Sequence, residues 1–526
     1  MTAGKGLDQV AAGTGDAPPP RLLNPRRHWL AFALIIAGAL AMTLYKLGAC
    51  GICKGNEAVE AVFIQQMVER GRLLFPSVNG GSPMYKPPLF HWSAVALDRL
   101  MGVHKVTAFN FRLPAALYAT AGVALTMGFA YGELSIDGAI LAGLSLLSAH
   151  QYIRLGRFGR VDMTLTFFET LSLFAFWWWF EKLPENGHDE RGSARGNAML
   201  YLVGLSMGLG VLTKGPVGAI LPGLSMVIFL VLEGRFRETL RRITPGPVVV
   251  AMLLGVSWYV AGFIAARHAL LARQVGSENF GRFFGTLGRM PPWFYLGPLL
   301  FSSFPMSLLV PFGVYHALFR REGRQTGEES GERAAQATRL LAIFWVVTLV
   351  FFSVAAYKSR WYLLPLWPSA AVILAWWLKI VGKRYGRRII EEGFAAVCVA
   401  VAAFNLFFIP HQEMRDCARS SYRSAAEEIR RLVGPGQPLY AAGFADEGFA
   451  PLLFYLDRDV PFISPKLADA PPGYIIVPAK LWNEQKGRAD GLEPIFESSQ
   501  GRRKPVLLRH RVDIPVSSRR TATVLG

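Results

Sequence analysis

Apolar runs close to the roughly 20 residues a helix needs to cross a hydrocarbon layer recur along this sequence, and they constrain the fold more than any other feature. About eleven are read, near residues 29–47, 113–131, 138–153, 163–181, 198–213, 216–233, 247–266, 293–318, 339–356, 361–379 and 393–410. A chain of 526 residues that is 52% hydrophobic exceeds what one soluble core holds. The expected fold class is an all-α polytopic membrane protein. Its first run follows Arg21, Arg26 and Arg27 and is not followed by a small-residue cleavage site, so it is read as a retained helix rather than a signal peptide.

The net charge of +19 raises the question of nucleic acid, but its placement points to orientation in a membrane instead. Arg235, Arg237, Arg241 and Arg242 fill one loop, Arg320, Arg321 and Arg324 another, and Lys379, Lys383, Arg384, Arg387 and Arg388 a third. These are alternate loops, so they and the N-terminus are expected in the cytoplasm. An odd number of spans then places everything after about residue 411 outside. The domain plan is a disordered cytoplasmic segment 1–28, a membrane domain 29–410 with a long first outward loop 48–112, and an extracytoplasmic α/β domain 411–526. In that last domain Ser424–Val433 reads as an amphipathic helix, and Pro438–Phe444, Tyr474–Val477 and Pro505–Val512 read as strands.

Cys50 and Cys53 form a C-x-x-C at the outer end of the first run, where an oxidising compartment allows a local disulfide or leaves two thiols. With no second pair at metal spacing, a zinc site is not expected.

Five outward loops follow from this topology, and ionisable residues beside lipid are costly without a purpose. On the first loop, Asn56 is placed to cap a helix ending at Gly71, with Ala58, Val62, Met67 and Val68 on its apolar surface and the helix lying along the membrane. Glu57 is then either a helix-end charge or an acid with a task. Lys86, preceded by Tyr85 and followed by Pro87 and Pro88, stands beside a helix N-terminus and reads either as a phosphate site or as a lysine reaching lipid headgroups. Arg154, Arg157 and Arg160 recur every third residue on the second loop, and Asp162 is expected to pair with an arginine. Lys214 sits in a Thr213–Pro216 turn, the fourth loop carries Arg273, Glu278, Arg282 and Arg289, and the fifth carries Lys358, Arg360 and Tyr362. All five loops open on one face, so a shared cavity is expected to collect two acids and several phosphate-binding cations.

The ordered set of short motifs resembles the bacterial relatives of protein O-mannosyltransferases, a family that includes the transferase adding aminoarabinose to lipid A. Carrying the resemblance are Asn56-Glu57-Ala58, Lys86-Pro87-Pro88 with Trp92, Phe111-Arg112-Leu113-Pro114, Arg160-Val161-Asp162-Met163 and Leu212-Thr213-Lys214-Gly215-Pro216. Glu278 to Phe283, Pro292 to Tyr295 and Lys358 to Pro365 continue it, so that it covers roughly residues 30–380.

The resemblance implies a GT-C glycosyltransferase that takes a sugar from a polyprenyl phosphate outside the cytoplasm, in the bacterial inner membrane. Glu57 and Asp162 are then the expected catalytic acids, and Lys86 and Arg282 the phosphate contacts. Asn56, Tyr85, Arg160, Lys214, Glu278, Lys358, Arg360 and Tyr362 are further candidates for the cavity. The chain departs from the family where an acid is usual at Asn56 and at Tyr85, and where a histidine is expected at Asn279. Those losses argue against a bound divalent metal and weaken lipid A aminoarabinose as the product. No cofactor and no nucleic-acid partner are expected. The expected partners are the lipid-linked donor, a lipid or glycan acceptor, and membrane lipid around a monomer. A protein acceptor is the near alternative. A lipid-linked sugar flippase is the alternative of another class, disfavoured by the lack of internal repeats and by acids that sit at span ends.

Overall fold

The computed structural model describes residues 25–79, 82–183, 194–265, 268, 272–286, 288–320, 329–501 and 503–510. Residues 1–24 of the segment expected to be disordered, Arg321 and Arg324, and the last two residues of the expected strand 505–512 lie outside them, while residues 25–28 of that segment are helical, continuous with the first apolar run.

Every apolar run is helical: Pro25–Leu44, Ala108–Glu133, Ile136–Ser148, Val161–Phe180, Ala194–Lys214, Val217–Leu232, Pro245–Ile264, Pro292–Phe301 bent by 114° against Met306–Phe319, Glu329–Val354, Leu366–Tyr385 and Gly393–Ser420. Length and apolarity taken alone qualify five described helices to cross a membrane, or six with the bent pair, which is fewer than the eleven runs. The physical reason is that several are short, with 13 residues in Ile136–Ser148 and 16 in Val217–Leu232, or carry acids such as Asp162 and Glu169.

Burial sorts these helices. Val161–Phe180 and Leu366–Tyr385 are apolar on nearly every side and packed inside, with Phe174, Trp177, Trp367 and Ile373 inaccessible. Phe129 and Phe174 stack 3.9 Å apart where Ala108–Glu133 meets this core. Pro245–Ile264 instead leaves Met252, Leu253, Phe263 and Ile264 exposed, an apolar face suited to lipid. The protein is a mostly helical, multi-pass membrane protein.

The long first loop does not follow its expected form. Its helix, Gly55–Arg70, is capped by Lys54 rather than Asn56, and Asn56 lies in the first turn. Gly71 ends it at φ 68°, a left-handed position that costs glycine little. Glu57 to Ile64 are all buried, so the helix is enclosed by protein instead of floating on lipid. It packs between the helix Leu89–Leu100 and a helix of the C-terminal segment, Asp446–Leu456. Pro88 is the cap residue of Leu89–Leu100.

Past Ser420 the chain forms an α/β segment with Arg423–Leu432 as its first helix. Besides the two-stranded hairpin β1 (Ser77–Val78) and β2 (Ser82–Pro83), the strands are β3 (Leu439–Ala441), β4 (Gly473–Pro478), β5 (Leu492–Glu497) and β6 (Pro505–His510), in sheet order β3-β4-β6-β5. Tyr440 pairs with Ile475 in parallel, and Ile476 with Leu507 antiparallel. Strand β5 and the helix Asp446–Leu456 escaped the sequence reading. Pro494 interrupts the alternation in the strand, and Pro451 the periodicity in the helix.

Cys50 and Cys53 do not form a staple of their own. Both meet Cys417, near the end of Gly393–Ser420, and the three sulfurs lie within 4.8 Å of one another. The partner is some 360 residues away in sequence, beyond what C-x-x-C spacing can show.

Candidate active site

All five loops converge on one cavity of about 460 Å³. The first loop brings Asn56, Tyr85 and Lys86, the second Arg160, the third Lys214, the fourth Glu278 and Arg282, and the fifth Tyr357, Trp361 and Tyr362. Eight of the twelve residues expected at the site line it, namely Asn56, Tyr85, Lys86, Arg160, Lys214, Glu278, Arg282 and Tyr362.

Buried carboxylates behind the wall hold the cations in place. Asp162, in the first turn of Val161–Phe180, accepts from Arg160 Nε at 2.9 Å and from Lys214 Nζ at 2.6 Å, which fulfils the expected pairing with an arginine. Lys214 is brought there because its helix ends at Gly215, whose φ of 92° favours glycine. Lys86 pairs with the wholly buried Glu60, whose other oxygen lies 2.7 Å from His91 Nε2. Burial alone raises the Glu60 carboxyl, but the Lys86 charge and the His91 contact outweigh it and hold the group at about 2. Burial likewise disfavours the Lys86 ammonium, and Glu60 with Tyr85 more than compensates, so Lys86 stays charged.

Arg282 follows a π-helical turn, Ala272–Gly281, and binds Glu278 at 2.6 Å and the Tyr362 hydroxyl at 2.9 Å. Two backbone bonds, Ala356 to Phe283 and Tyr357 to Arg282, both 2.9 Å, splice the fourth loop to the fifth. Each cation also faces an aromatic ring: Lys86 over Tyr85 at 5.3 Å, Arg160 over Trp361 at 5.7 Å, Lys214 over Tyr362 at 4.7 Å and Arg282 over Tyr357 at 5.1 Å. At the cavity edge Ile220, Phe280 and Phe284 expose large apolar surfaces.

Four expected residues lie off the lining. Glu57 is inaccessible and clasped by Arg112, with Nε at 2.6 Å and Nη2 at 2.9 Å, while Gly159 N donates to it at 3.2 Å. Asp162 sits behind its two cations. Lys358 donates to the Ala355 carbonyl at 2.6 Å, and Arg360 is exposed beside Trp361. Of the arginine triplet, Arg160 alone lines the cavity. Arg157 is buried on Glu413 and on the carbonyls of Met42, Thr43 and Tyr45.

Sequence reasoning missed Glu60, Arg112 as a partner, Gln274, and Glu447 from the C-terminal segment, which also lines the cavity. Glu60 carried a readable signal, since an acid among Ala58, Val59, Ala61 and Val62 must find a partner once that face is buried. Glu447 carried none.

Residues 79–272 match the model of the dolichyl-phosphate-mannose-protein mannosyltransferase family. An undecaprenyl phosphate-α-4-amino-4-deoxy-L-arabinose arabinosyl transferase of Pseudomonas fluorescens is 27% identical over 64% of this chain and 58% of its own length. An uncharacterized protein of Aquifex aeolicus is 26% identical over 65% of this chain and 63% of its own. The chain thus spans 58 to 63% of the length of these curated relatives. Among solved structures, ArnT from Cupriavidus metallidurans bound to undecaprenyl phosphate superposes with a TM-score of 0.73 at 17% identity, covering 92% of this chain and 98% of that one. The Archaeoglobus fulgidus oligosaccharyltransferase follows at 0.59 and 12% identity, covering 88% and 71%. The fold is that of the GT-C membrane proteins. Within that class its sequence is similar, over part of its length, to the protein mannosyltransferase family model and to the aminoarabinose transferases.

Proposed function

We propose that this chain transfers a sugar from a polyprenyl phosphate carrier to an acceptor on the extracytoplasmic side of a bacterial inner membrane. The observation that carries the reading is a cavity with cations at its inner end and exposed apolar side chains at its edge, the shape of a phosphorylated lipid. Charge supports it further. Lys86, Arg160, Lys214 and Arg282 are held by Glu60, Asp162 and Glu278, so four positioned cations are gathered where a phosphodiester would bind. As the sugar departs, the phosphate gains a second charge. Preorganised donors such as Lys86 and Arg282 stabilise that charge most in the transition state. Ile220, Phe280 and Phe284 line the way for the prenyl chain.

Relatives named as aminoarabinose transferases support the donor class. By the resemblance, Asn56, Tyr85 and Asn279 are departures from the aminoarabinose transferases, and the acceptor we propose is a lipid or glycan. The basic residues on alternate loops support a cytoplasmic N-terminus, with the cavity and the C-terminal segment outside.

The test uses membranes expressing the full chain, given labelled polyprenyl-phosphate pentose and hexose donors, with label leaving the carrier as the readout. Lys86→Ala and Arg282→Ala are expected to lower transfer by about 10²-fold or more and to weaken binding of a short-chain polyprenyl phosphate. Wild-type membranes that move label from no such donor would overturn the reading.

A further inference from the structure

Two acids line the cavity, Glu278 and Glu447. Arg282 holds the first at 2.6 Å. Among the described residues no cation forms an ion pair with the second, which is exposed at the open side. Glu447 stands in the first turn of the helix Asp446–Leu456, whose Phe449, Ala450, Leu452 and Leu453 are buried. Its position is set by close packing on the first loop. At Gly55 a Cβ would overlap the Glu447 carbonyl oxygen, so only glycine admits this approach. Arg273 pins the same turn, 3.9 Å from Asp446 and 4.5 Å from the centre of the Tyr85 ring. With its amide nitrogen turned toward Glu447, Asn56 donates to the two carboxylate oxygens at 2.6 and 3.1 Å.

Three further acids around the cavity are already engaged. Glu57 is closed in by Arg112, Glu60 by Lys86 and His91, and Asp162 by Arg160 and Lys214. We propose that Glu447, oriented by Asn56, is the general base for the acceptor, so that the C-terminal segment supplies the carboxylate that the first loop lacks. The inference rests on the sugar transfer proposed above. In that step the acceptor hydroxyl gives its proton to a Glu447 oxygen and its own oxygen bonds the anomeric carbon. The bond from that carbon to the carrier phosphate breaks, and its electron pair leaves on the phosphate among Lys86, Arg160, Lys214 and Arg282. Glu447 and the donor cations line the same cavity, so an acceptor held at the carboxylate and a phosphate held at the cations share it.

The full chain in membranes is assayed with the labelled donors, alongside binding of a short-chain polyprenyl phosphate. Glu447→Gln is expected to lower transfer by about 10²- to 10⁴-fold, to leave phosphate binding unchanged, and to erase the acidic limb of the pH–rate profile. Glu447→Asp is expected to keep part of the rate. In the Glu447→Gln background, Asn56→Asp returns a carboxylate to the other side of the same hydrogen bond and is expected to raise transfer again. Full transfer by Glu447→Gln, an unchanged acidic limb, or loss of phosphate binding with loss of rate would each overturn the assignment. If Lys86→Ala still abolishes transfer in those cases, the sugar-transfer reading stands without Glu447. Wild type without transfer removes both.

Discussion

The Lys86 ammonium is tied to the Glu60 carboxylate, a residue with no accessible surface. The pair converts a lysine that Pro87 leaves non-helical into a fixed charge aimed at the cavity. Of the two acids three apart on the first-loop helix, Glu57 serves Arg112 and Glu60 serves Lys86.

Stability is expected to depend on pH through Glu60. Its carboxyl titrates at about 2 in the folded protein against 4.5 for the unperturbed group. Between those values the unfolded chain binds a proton that the folded chain does not, so stability falls as pH falls from about 4.5 to about 2 and is fully present above. A shift of this size corresponds to roughly 3 kcal/mol at neutral pH. Unfolding of detergent-solubilised wild type and Glu60→Gln, followed by tryptophan fluorescence, should show a difference of that order at pH 7 that shrinks below pH 4.5. A difference constant to pH 2 would contradict it.

Asp162→Asn removes the one carboxylate shared by Arg160 and Lys214. Breaking such a buried arrangement costs about 3–5 kcal/mol, and the partial exposure of both cations favours the lower end. The same change adds positive charge around the cavity. Added short-chain polyprenyl phosphate should therefore raise the melting temperature of the variant more than that of wild type, while transfer falls because the donors lose their aim. Equal ligand-induced shifts in the two proteins would place Asp162 outside the phosphate's field.

Much of this site was legible because local chemistry announced it. Pro87 beside Lys86, the Gly215 turn after Lys214 and the polar run around Arg282 marked positions where cations meet irregular backbone, and the alternation of basic loops put them on one face. The acids were harder. Glu57 and Glu60 both point inward from one helix, and which of them meets the cavity's cation depends on the tertiary positions of Arg112 and Lys86. Glu447 and Cys417 come from the far end of the chain, and no periodicity near them reports a partner on the first loop. Span counting met a different limit, since a helix buried among other helices needs neither full bilayer length nor freedom from charge.

Glu57→Gln is expected to act on stability rather than on chemistry. Arg112 would keep its bonds to the carbonyls of Leu47, Cys50 and Gly51 but lose its only carboxylate in an ion pair among the described residues. The uncompensated buried charge should cost about 3–5 kcal/mol. Transfer per folded molecule should stay within about threefold of wild type, in contrast to the 10²- to 10⁴-fold loss that removing a general base brings. A variant with unchanged melting temperature and a rate loss of that size would return Glu57 to the role of base.

Cys417 meets both Cys50 and Cys53, yet one sulfur forms one disulfide. Cys398 is a buried thiol elsewhere, so the four cysteines should give one disulfide and two thiols when the unfolded protein is alkylated without reductant and weighed. Cys50→Ser and Cys53→Ser should each keep a bond to Cys417. Closing so long a loop stabilises by up to about 5 kcal/mol, so reductant should lower the melting temperature of wild type but not of a Cys50→Ser, Cys53→Ser, Cys417→Ser variant. Because disulfides persist outside the reducing cytoplasm, finding this bond in cells would also place the start of the first loop and the end of Gly393–Ser420 on the extracytoplasmic side. Four alkylated thiols with a tightly held zinc ion would instead make the three sulfurs a metal site, and the topology argument would lose its covalent support.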